Sequence, residues 1–214
     1  AKTLFPYTTL FRSMSRFVEP VVLTGDRWVR LEPLRAEHIP DIEAAARDSD
    51  NGTLWFTSAP TPDGAADWVS RMIAMQDGDS GVTFVVRRLD DGSAVGSTSM
   101  FHVDAANRRL EVGHTWYSSS ARRTGVNTET KLVLLTHAFE TLGCVAVEFR
   151  THYLNAASRA AIERLGAKLD GILRSHQLLP DGSRRDTAVY SILDIEWPAV
   201  RANLRHRLTR ARSS

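Results

Sequence analysis

The sequence predicts an α+β (mixed α/β) fold in which one central, mostly antiparallel sheet of about seven strands is flanked by helices. Several segments alternate apolar and polar residues with a period of two, and others repeat apolar residues at helical spacing. Their order is strand, two helices, three-stranded meander, helix, strand, helix, hairpin and helix. Strands and helices mixed in this way are typical of a sheet covered by helices on its faces.

The first half of the chain supplies one strand, two helices and the meander. Residues 28–34 alternate as a strand, and residues 36–48 follow with helical spacing. Asp63 is expected to cap a second helix that Gly78 ends. The predicted meander strands are residues 82–89, 93–103 and 109–117.

The second half alternates helices with strands. The predicted helices cover residues 127–142, 155–165 and about 195–208, and glycines follow the first two of them. The predicted strands cover residues 145–149, 167–179 and 183–193, the last two joined by the turn at residues 180–182.

Composition and charge exclude several classes of protein. The chain has 214 residues, of which 43% are hydrophobic and 24% charged, as in ordinary globular domains. A single cysteine, Cys144, excludes an intramolecular disulfide and an all-cysteine metal site, and it suits a reducing cytoplasm. No apolar run is long enough to span a bilayer. We therefore expect a cytoplasmic protein with no metal and no membrane partner.

The first thirteen residues differ in character from the rest. The run TLFPYTTLFRS resembles the in-frame translation of a sequencing-library adapter, and Met14 follows it. Residues 1–13 are therefore interpreted as a non-native leader, and residues 14–214 as a single domain. The leader holds Lys2 and Arg12 and no acid, so the remainder is formally neutral and its charge indicates no particular partner.

The loop after the third meander strand is the most informative segment. It carries Arg122, Arg123 and Gly125 directly before a predicted helix. Backbone amides at a helix N-terminus bind phosphates, glycine permits close approach and arginine pairs with phosphate oxygens. Many helices nevertheless begin after such a loop and bind nothing, so the loop by itself leaves both readings open.

Residues 122–127, RRTGVN, resemble the pyrophosphate loop R/Q-x-x-G-x-G/A of the GNAT superfamily of acyl-CoA-dependent N-acyltransferases. Arg122 takes the first position and Gly125 the first glycine, whereas Asn127 replaces the second Gly or Ala. The runs NTETKLVLLTHAFETLG, LNAASRAAIERLGAK and LPDGSRRDTAVYSIL are similar to the RimJ/RimL-type branch of that superfamily. The resemblance extends from about residue 28 to residue 208.

This resemblance implies that acetyl-CoA is the acyl donor and that it lies in a gap where the strand at 109–117 splays from the strand at 145–150. The pantetheine arm would pair with the backbone near Trp116 and Tyr117. The remaining donor-binding residues that the resemblance implies are Arg122, Arg123, Thr124, Gly125, Val126, Asn127, Thr128 and Asn155. A β-branched residue in place of Gly125 should then weaken donor binding with little loss of fold.

The family often places a carboxylate on the strand that lines this gap, and Glu111 is therefore the first candidate for the general base. The alternative is a strand carboxylate that faces solvent or an arginine such as Arg109. Glu148, His114 and His152 are weaker candidates, more often structural than catalytic.

The general acid follows from the same resemblance. Many superfamily members carry a tyrosine at the position of Ile162, while RimL-like members carry a serine at the position of Ser158. Ser158 is therefore the candidate proton donor to the CoA thiolate. The alternative is that Asn155 and Ser158 only cap their helix.

The resemblance implies direct acetyl transfer to a primary amine, either a protein N-terminus or a small molecule. The alternative is an inactive CoA-binding sensor or scaffold, which the missing tyrosine at Ile162 keeps open. Trp55, Phe56 and Trp68 either wall the acceptor pocket or belong to the core. The basic tail at 201–214 is interpreted as a solvated helix end rather than a nucleic-acid site, and a homodimer is compatible with the sequence.

Overall fold

The computed structural model describes residues 16–50, 54–55, 57, 59–78, 81–179 and 181–211. The predicted leader, Met14, Phe56 and Pro180 lie outside these ranges. The described chain forms one sheet in the order β1-β2-β3-β4-β5-β6-β8-β7. All neighbouring strands are antiparallel except β5 and β6. The strands are β1 (Leu23–Thr24), β2 (Val29–Pro33), β3 (Gly81–Arg88), β4 (Ala94–Asp104), β5 (Arg109–Tyr117), β6 (Ala146–His152), β7 (Lys168–Leu178) and β8 (Arg184–Leu193).

Helices cover both faces of the sheet. The helices are α1 (Ile39–Arg47), α2 (Ala65–Asp77), α3 (Val126–Thr136), α4 (Ala156–Leu165) and α5 (Trp197–Arg210). Helices α1 and α2 pack over β3 and β4 on one face, while α3 and α5 pack together on the other and α4 contacts β6 and α5. Two hydrophobic cores result, one on each face of the sheet. The predicted fold class is therefore confirmed.

The structure differs from the predicted elements in three places. The two-residue strand β1 was not predicted, because two residues are too few to show a period. Helix α2 takes Gly64, not Asp63, as its N-cap. The helix predicted over residues 127–142 is an α-helix only to Thr136, and a π-helical turn at His137–Thr141 completes it.

A buried carboxylate joins the beginning of the sheet to helix α3. Glu129 accepts hydrogen bonds from the backbone amides of Arg27 at 3.1 Å, Trp28 at 2.6 Å and Val29 at 2.9 Å. A Cβ on Gly25 would lie 2.3 Å from a Glu129 carboxylate oxygen, so this contact requires glycine there. These bonds fix the β1–β2 turn against the first turn of α3.

Within the described residues, no helix is long and apolar enough to cross a membrane.

Candidate active site

The strands β5 and β6 are paired over only three residues. Arg109, Leu110 and Glu111 lie opposite Ala146, Val147 and Glu148. Beyond that point β5 continues to Tyr117 and β6 to His152, and in the described sheet neither strand pairs further with the other. The pair therefore splays from Glu111 onward, as the family resemblance implied for the strands at 109–117 and 145–150.

A β-bulge lies just past the point of splaying. On β5, Gly113 pairs with Ser99 of β4 and Trp116 pairs with Ser97, so β5 has one extra residue in this interval. His114, within the bulge, has a φ of 47°, which lies in the left-handed region. A bulge bends its strand and redirects its backbone groups. Nothing in the apolar–polar pattern of residues 109–117 signals it.

A cleft of about 1080 Å³ extends from this bulge to the N-terminus of α3. It contains most of the predicted site residues and several that were not predicted. The predicted residues among its lining are Trp55, Trp68, Glu111, His114, Trp116, Tyr117, Arg122, Asn127, His152, Asn155, Ser158 and Ile162. The lining also includes His102, Lys131, Arg150, His176 and Arg185, which sequence reasoning did not place there.

The loop before α3 is ordered by its own side chains. Thr124 Oγ1 donates to the Ala121 carbonyl at 2.6 Å and accepts from the Val126 amide at 3.2 Å. Because α3 begins at Val126, the amides of Asn127 and Thr128 have no acceptor within the helix. These are the two amides that the helix offers to an anion at the end of the cleft.

Gly125 packs closely against Trp28. Its φ is −71°, which any residue adopts, and a Cβ there would lie 2.3 Å from Trp28 Nε1. The missing side chain therefore makes room for the Trp28 indole. The left-handed residue of the loop is Arg123, at a φ of 60°.

Acidic residues after α1 hold the same loop. The Arg122 guanidinium forms an ion pair with Asp50, which raises the pKa of Arg122 and lowers that of Asp50. The Ser119 amide donates to the Asp48 carbonyl at 2.5 Å, and the Ser120 amide donates to the Asp48 carboxylate at 3.1 Å. Arg122 thus faces the cleft with one acidic partner already beside it.

Glu111 is buried at the point where the strands part. It is 5% exposed, and its Oε2 lies 2.9 Å from His102 Nδ1 and 3.4 Å from Arg150 Nε. Burial raises the pKa of the Glu111 carboxyl, and the hydrogen bond from His102 offsets only part of that rise. The side chain faces neither solvent nor Arg109, but Arg150 lies beside it, so the ion pair with an arginine that the sequence left as an alternative is present. A carboxylate with a raised pKa is suited to accept a proton near neutral pH.

The other candidate carboxylate is already neutralised by arginines. Glu148 accepts from Arg109 at 2.6 Å and from Arg150 at 2.8 Å. Guanidinium groups therefore occupy both oxygens of this carboxylate. The geometry therefore favours Glu111 over Glu148.

The two candidate histidines, His114 and His152, are also poor bases. Burial lowers the pKa of His114 to about 4, and its ring stacks on Phe101 with the centroids 4.3 Å apart. Nδ1 of His152 accepts from the Leu154 amide at 3.0 Å, and burial lowers its pKa as well. The neutral His152 ring must therefore carry its proton on Nε2, where it donates rather than accepts.

The predicted cap at the start of α4 forms through one side chain only. Asn155 Oδ1 accepts from the Ser158 backbone amide at 3.0 Å. The Ser158 hydroxyl takes no part in this cap, and the residue lines the cleft half-buried. Ile162, at the position of the usual tyrosine, is 8% exposed and packs in the core. Capping by Asn155 and a separate role for the Ser158 hydroxyl are thus compatible.

Lys131 is a buried amine that the sequence pattern gave no reason to single out. It is 6% exposed, and its Nζ donates to Thr115 Oγ1 at 2.8 Å and to Thr98 Oγ1 at 3.3 Å. Burial lowers its pKa to about 7.

The described residues contain no group of three His, Cys, Asp or Glu side chains that could hold a metal.

The fold agrees with comparisons to known proteins. Residues 29–168 match the family model described as an acetyltransferase (GNAT) domain. The chain therefore belongs to the GNAT acetyltransferase family, and it is an N-acetyltransferase. GNAT acetyltransferases use acetyl-CoA as the acetyl donor.

Individual relatives agree with this family. The chain is 28% identical over 173 residues to "Putative ribosomal N-acetyltransferase YdaF" of Bacillus subtilis (strain 168), covering 78% of this chain and 90% of that one. A GCN5-related N-acetyltransferase from Brucella melitensis is 31% identical, with a TM-score of 0.80 over 89% of this chain and 86% of that one. RimJ of Mycobacterium smegmatis, solved with CoA-disulfide, shares the fold at 21% identity and a TM-score of 0.72, over 88% of this chain and 95% of that one.

Proposed function

We propose that the protein transfers an acetyl group from acetyl-CoA directly to a primary amine in the cleft between β5 and β6. The observation that carries this proposal is Glu111, a buried carboxylate with a raised pKa at the point where the two strands part. Family membership supplies the donor, and the position of Glu111 supplies the site of reaction.

The two ends of the cleft support this position for the donor. Its diphosphate lies at the N-terminus of α3, where the Asn127 and Thr128 amides and the positive end of the helix dipole favour an anion. Arg122 and Arg123 add positive charge. The pantetheine arm pairs with the edge of β5 that β6 leaves open, near Trp116 and Tyr117.

The reaction needs one bond formed, one bond broken and two proton movements. The amine nitrogen attacks the thioester carbonyl carbon, and Glu111 takes the ammonium proton directly or through a water. A backbone amide of the redirected β5 strand near the bulge donates to the oxyanion. The carbon–sulfur bond then breaks, and the Ser158 hydroxyl gives its proton to the CoA thiolate.

The acceptor amine enters from the side of Trp55. Trp55 is 55% exposed, and its ring centroid lies 5.0 Å from that of His152 at the cleft. Trp68, by contrast, is 1% exposed and packs edge-on against Trp116, so it supports the cleft from the core.

The identity of the acceptor has two candidates, a protein N-terminus and a small-molecule amine. The first is suggested by the similar protein YdaF, whose name is "Putative ribosomal N-acetyltransferase YdaF".

The test is amine-dependent release of free CoA thiol from acetyl-CoA by the purified protein. Glu111→Gln keeps the shape of the side chain and removes its basicity, so kcat should fall by at least about 10²-fold while donor affinity stays unchanged. Glu148→Gln is the matched variant on the facing strand and should lose far less. Thiol release that is independent of amine, or a larger loss in Glu148→Gln than in Glu111→Gln, would contradict the proposal.

A further inference from the structure

Arg185 projects a half-buried positive charge into the acceptor side of the cleft. It lies near the start of β8, opposite Gln177 of β7 and two residues before Thr187, which pairs with His152. Arg185, Thr187, Gln177 and His152 all line the same cleft as Glu111. The guanidinium is therefore part of the cavity wall and not of the outer surface.

The cation has no anionic partner of its own. Arg185 Nε is fully buried and has no hydrogen-bond acceptor, and no carboxylate in the described chain forms an ion pair with the side chain. Its arginine neighbours differ, since Arg174 pairs with Asp186 at 2.6 Å and Arg150 pairs with Glu148 at 2.8 Å. Arginine stays charged at any ordinary pH, so this guanidinium keeps a positive charge with which no carboxylate of the described chain forms an ion pair.

The charged and titratable groups that face Arg185 limit what this charge can bind. They are Glu111, His114 and His152. Glu111 is already held by His102 and Arg150, and burial keeps His114 neutral near pH 7. The cleft thus presents a proton acceptor for an amine and, beside it, a guanidinium that lacks an anion.

We propose that the acceptor carries a carboxylate within a few bonds of its reactive amine, and that Arg185 binds this carboxylate. The inference rests on the proposed function. A guanidinium fork matches a carboxylate in geometry, and such charge-assisted bonds are stronger than neutral ones. One guanidinium without an ion pair suits one negative charge, whereas a phosphate dianion would leave a second charge unmatched by it. The carboxylate belongs either to a free amino acid or to an acidic first residue of a peptide.

The experiment compares matched acceptors in the thiol-release assay at saturating acetyl-CoA. One arm uses free amino acids and the corresponding amino-acid amides. The other arm uses peptides that begin with Asp or Glu and peptides that begin with Asn or Gln. The amine of an amide is more often neutral than that of the free acid, so a preference for the acid cannot come from amine basicity. The arm that shows the preference identifies the source of the carboxylate.

Variants of two adjacent arginines give the decisive comparison. Arg185→Met should raise KM for the carboxylate acceptor by about 10- to 100-fold and leave the neutral acceptor unchanged. Arg185→Lys should restore part of the difference because it keeps the charge and loses the fork. Arg184 is exposed and points to the other face of β8, so Arg184→Met should change neither acceptor. Melting temperatures of the three variants check that each is folded.

The outcomes separate this inference from the proposed function. Equal KM values for acidic and neutral acceptors, or an equal effect of Arg185→Met on both, would overturn the carboxylate inference and leave the transferase in place. Thiol release with none of the acceptors would overturn the proposed function, and the inference with it.

Discussion

At the scale of single residues, a substitution at Ser158 can change catalysis without changing stability. Its backbone amide, not its hydroxyl, completes the cap of α4. Ser158→Ala should therefore slow thiol release markedly while donor binding and melting temperature change little. Asn155→Ala, which removes the cap acceptor, should cost about 1 kcal/mol of stability. An unchanged kcat in Ser158→Ala would remove this hydroxyl from the mechanism.

Lys131 gives the protein a stability that depends on pH. Its folded pKa is about 7, against an ordinary value of 10.5, so between these values the unfolded chain binds a proton that the folded chain does not. Stability should therefore rise with pH across that window, and below it the full cost of charging a buried amine is present. Lys131→Met removes this cost and leaves the Thr98 and Thr115 hydroxyls bonded to each other at 2.8 Å.

The measurement is urea unfolding of the wild type and Lys131→Met at pH 6 and pH 9. The variant should gain stability relative to the wild type, and the gain should be larger at pH 6. Lys168→Met is the control, since Lys168 is exposed and pairs with Glu196. A gain that is equal at both pH values would show that Lys131 does not titrate in this window.

The sequence predicted some of the site residues and missed others. Glu111 was found because the resemblance places a carboxylate on its strand, and the structure then put it in the cleft. His102 and Arg185 were missed because each lies on another strand, and only the register of the sheet brings them to the cleft. Tertiary pairing of this kind leaves no trace in local periodicity.

At the scale of elements, helices and long strands followed closely from the sequence. Apolar spacing set their positions, and Gly166, with a φ of 107°, ended α4 as expected. The resemblance predicted that β5 and β6 splay, but neither the bulge in β5 nor the residue at which the splay begins could be predicted, because both depend on how far neighbouring strands pair. These two irregularities are what create the cleft.

The packing of Gly125 against Trp28 predicts how substitutions in the loop before α3 change the stability of the fold. Gly125→Ala should destabilise the fold by about 1–3 kcal/mol, because the new Cβ overlaps the indole. In a Trp28→Ala background the same change should cost much less, and the two losses should not add. Denaturant unfolding of the single and double variants gives the coupling. Additive losses would show that the indole is not what excludes a side chain at Gly125.

At the scale of the whole molecule, the sheet consists of two parts joined by three residue pairs. Strands β1–β5 lie on one side of that junction, and β6, β8 and β7 on the other. A donor that pairs with β5 inside the gap adds contacts between these parts. A ligand that binds only the folded protein stabilises it by mass action. CoA at a concentration of 100 times its Kd should therefore raise the free energy of unfolding by about 2.7 kcal/mol.

Thermal unfolding with CoA and with adenosine 3′,5′-bisphosphate tests this expectation. The nucleotide lacks the pantetheine arm and cannot span the gap. It should give a smaller shift in Tm than CoA when each is present at the same concentration. Equal shifts would mean that the arm makes no contact in the gap.

Glu129 links two regions of the chain that are about one hundred residues apart in sequence. Because its carboxylate holds the amides of residues 27–29, the turn ahead of β2 and the entrance of α3 shift as a unit. Alterations near Gly25 should then change donor affinity, although residues 25–29 do not themselves line the cleft. Engineering of the amino-terminal region should accordingly be judged by how well the protein holds CoA as well as by its yield.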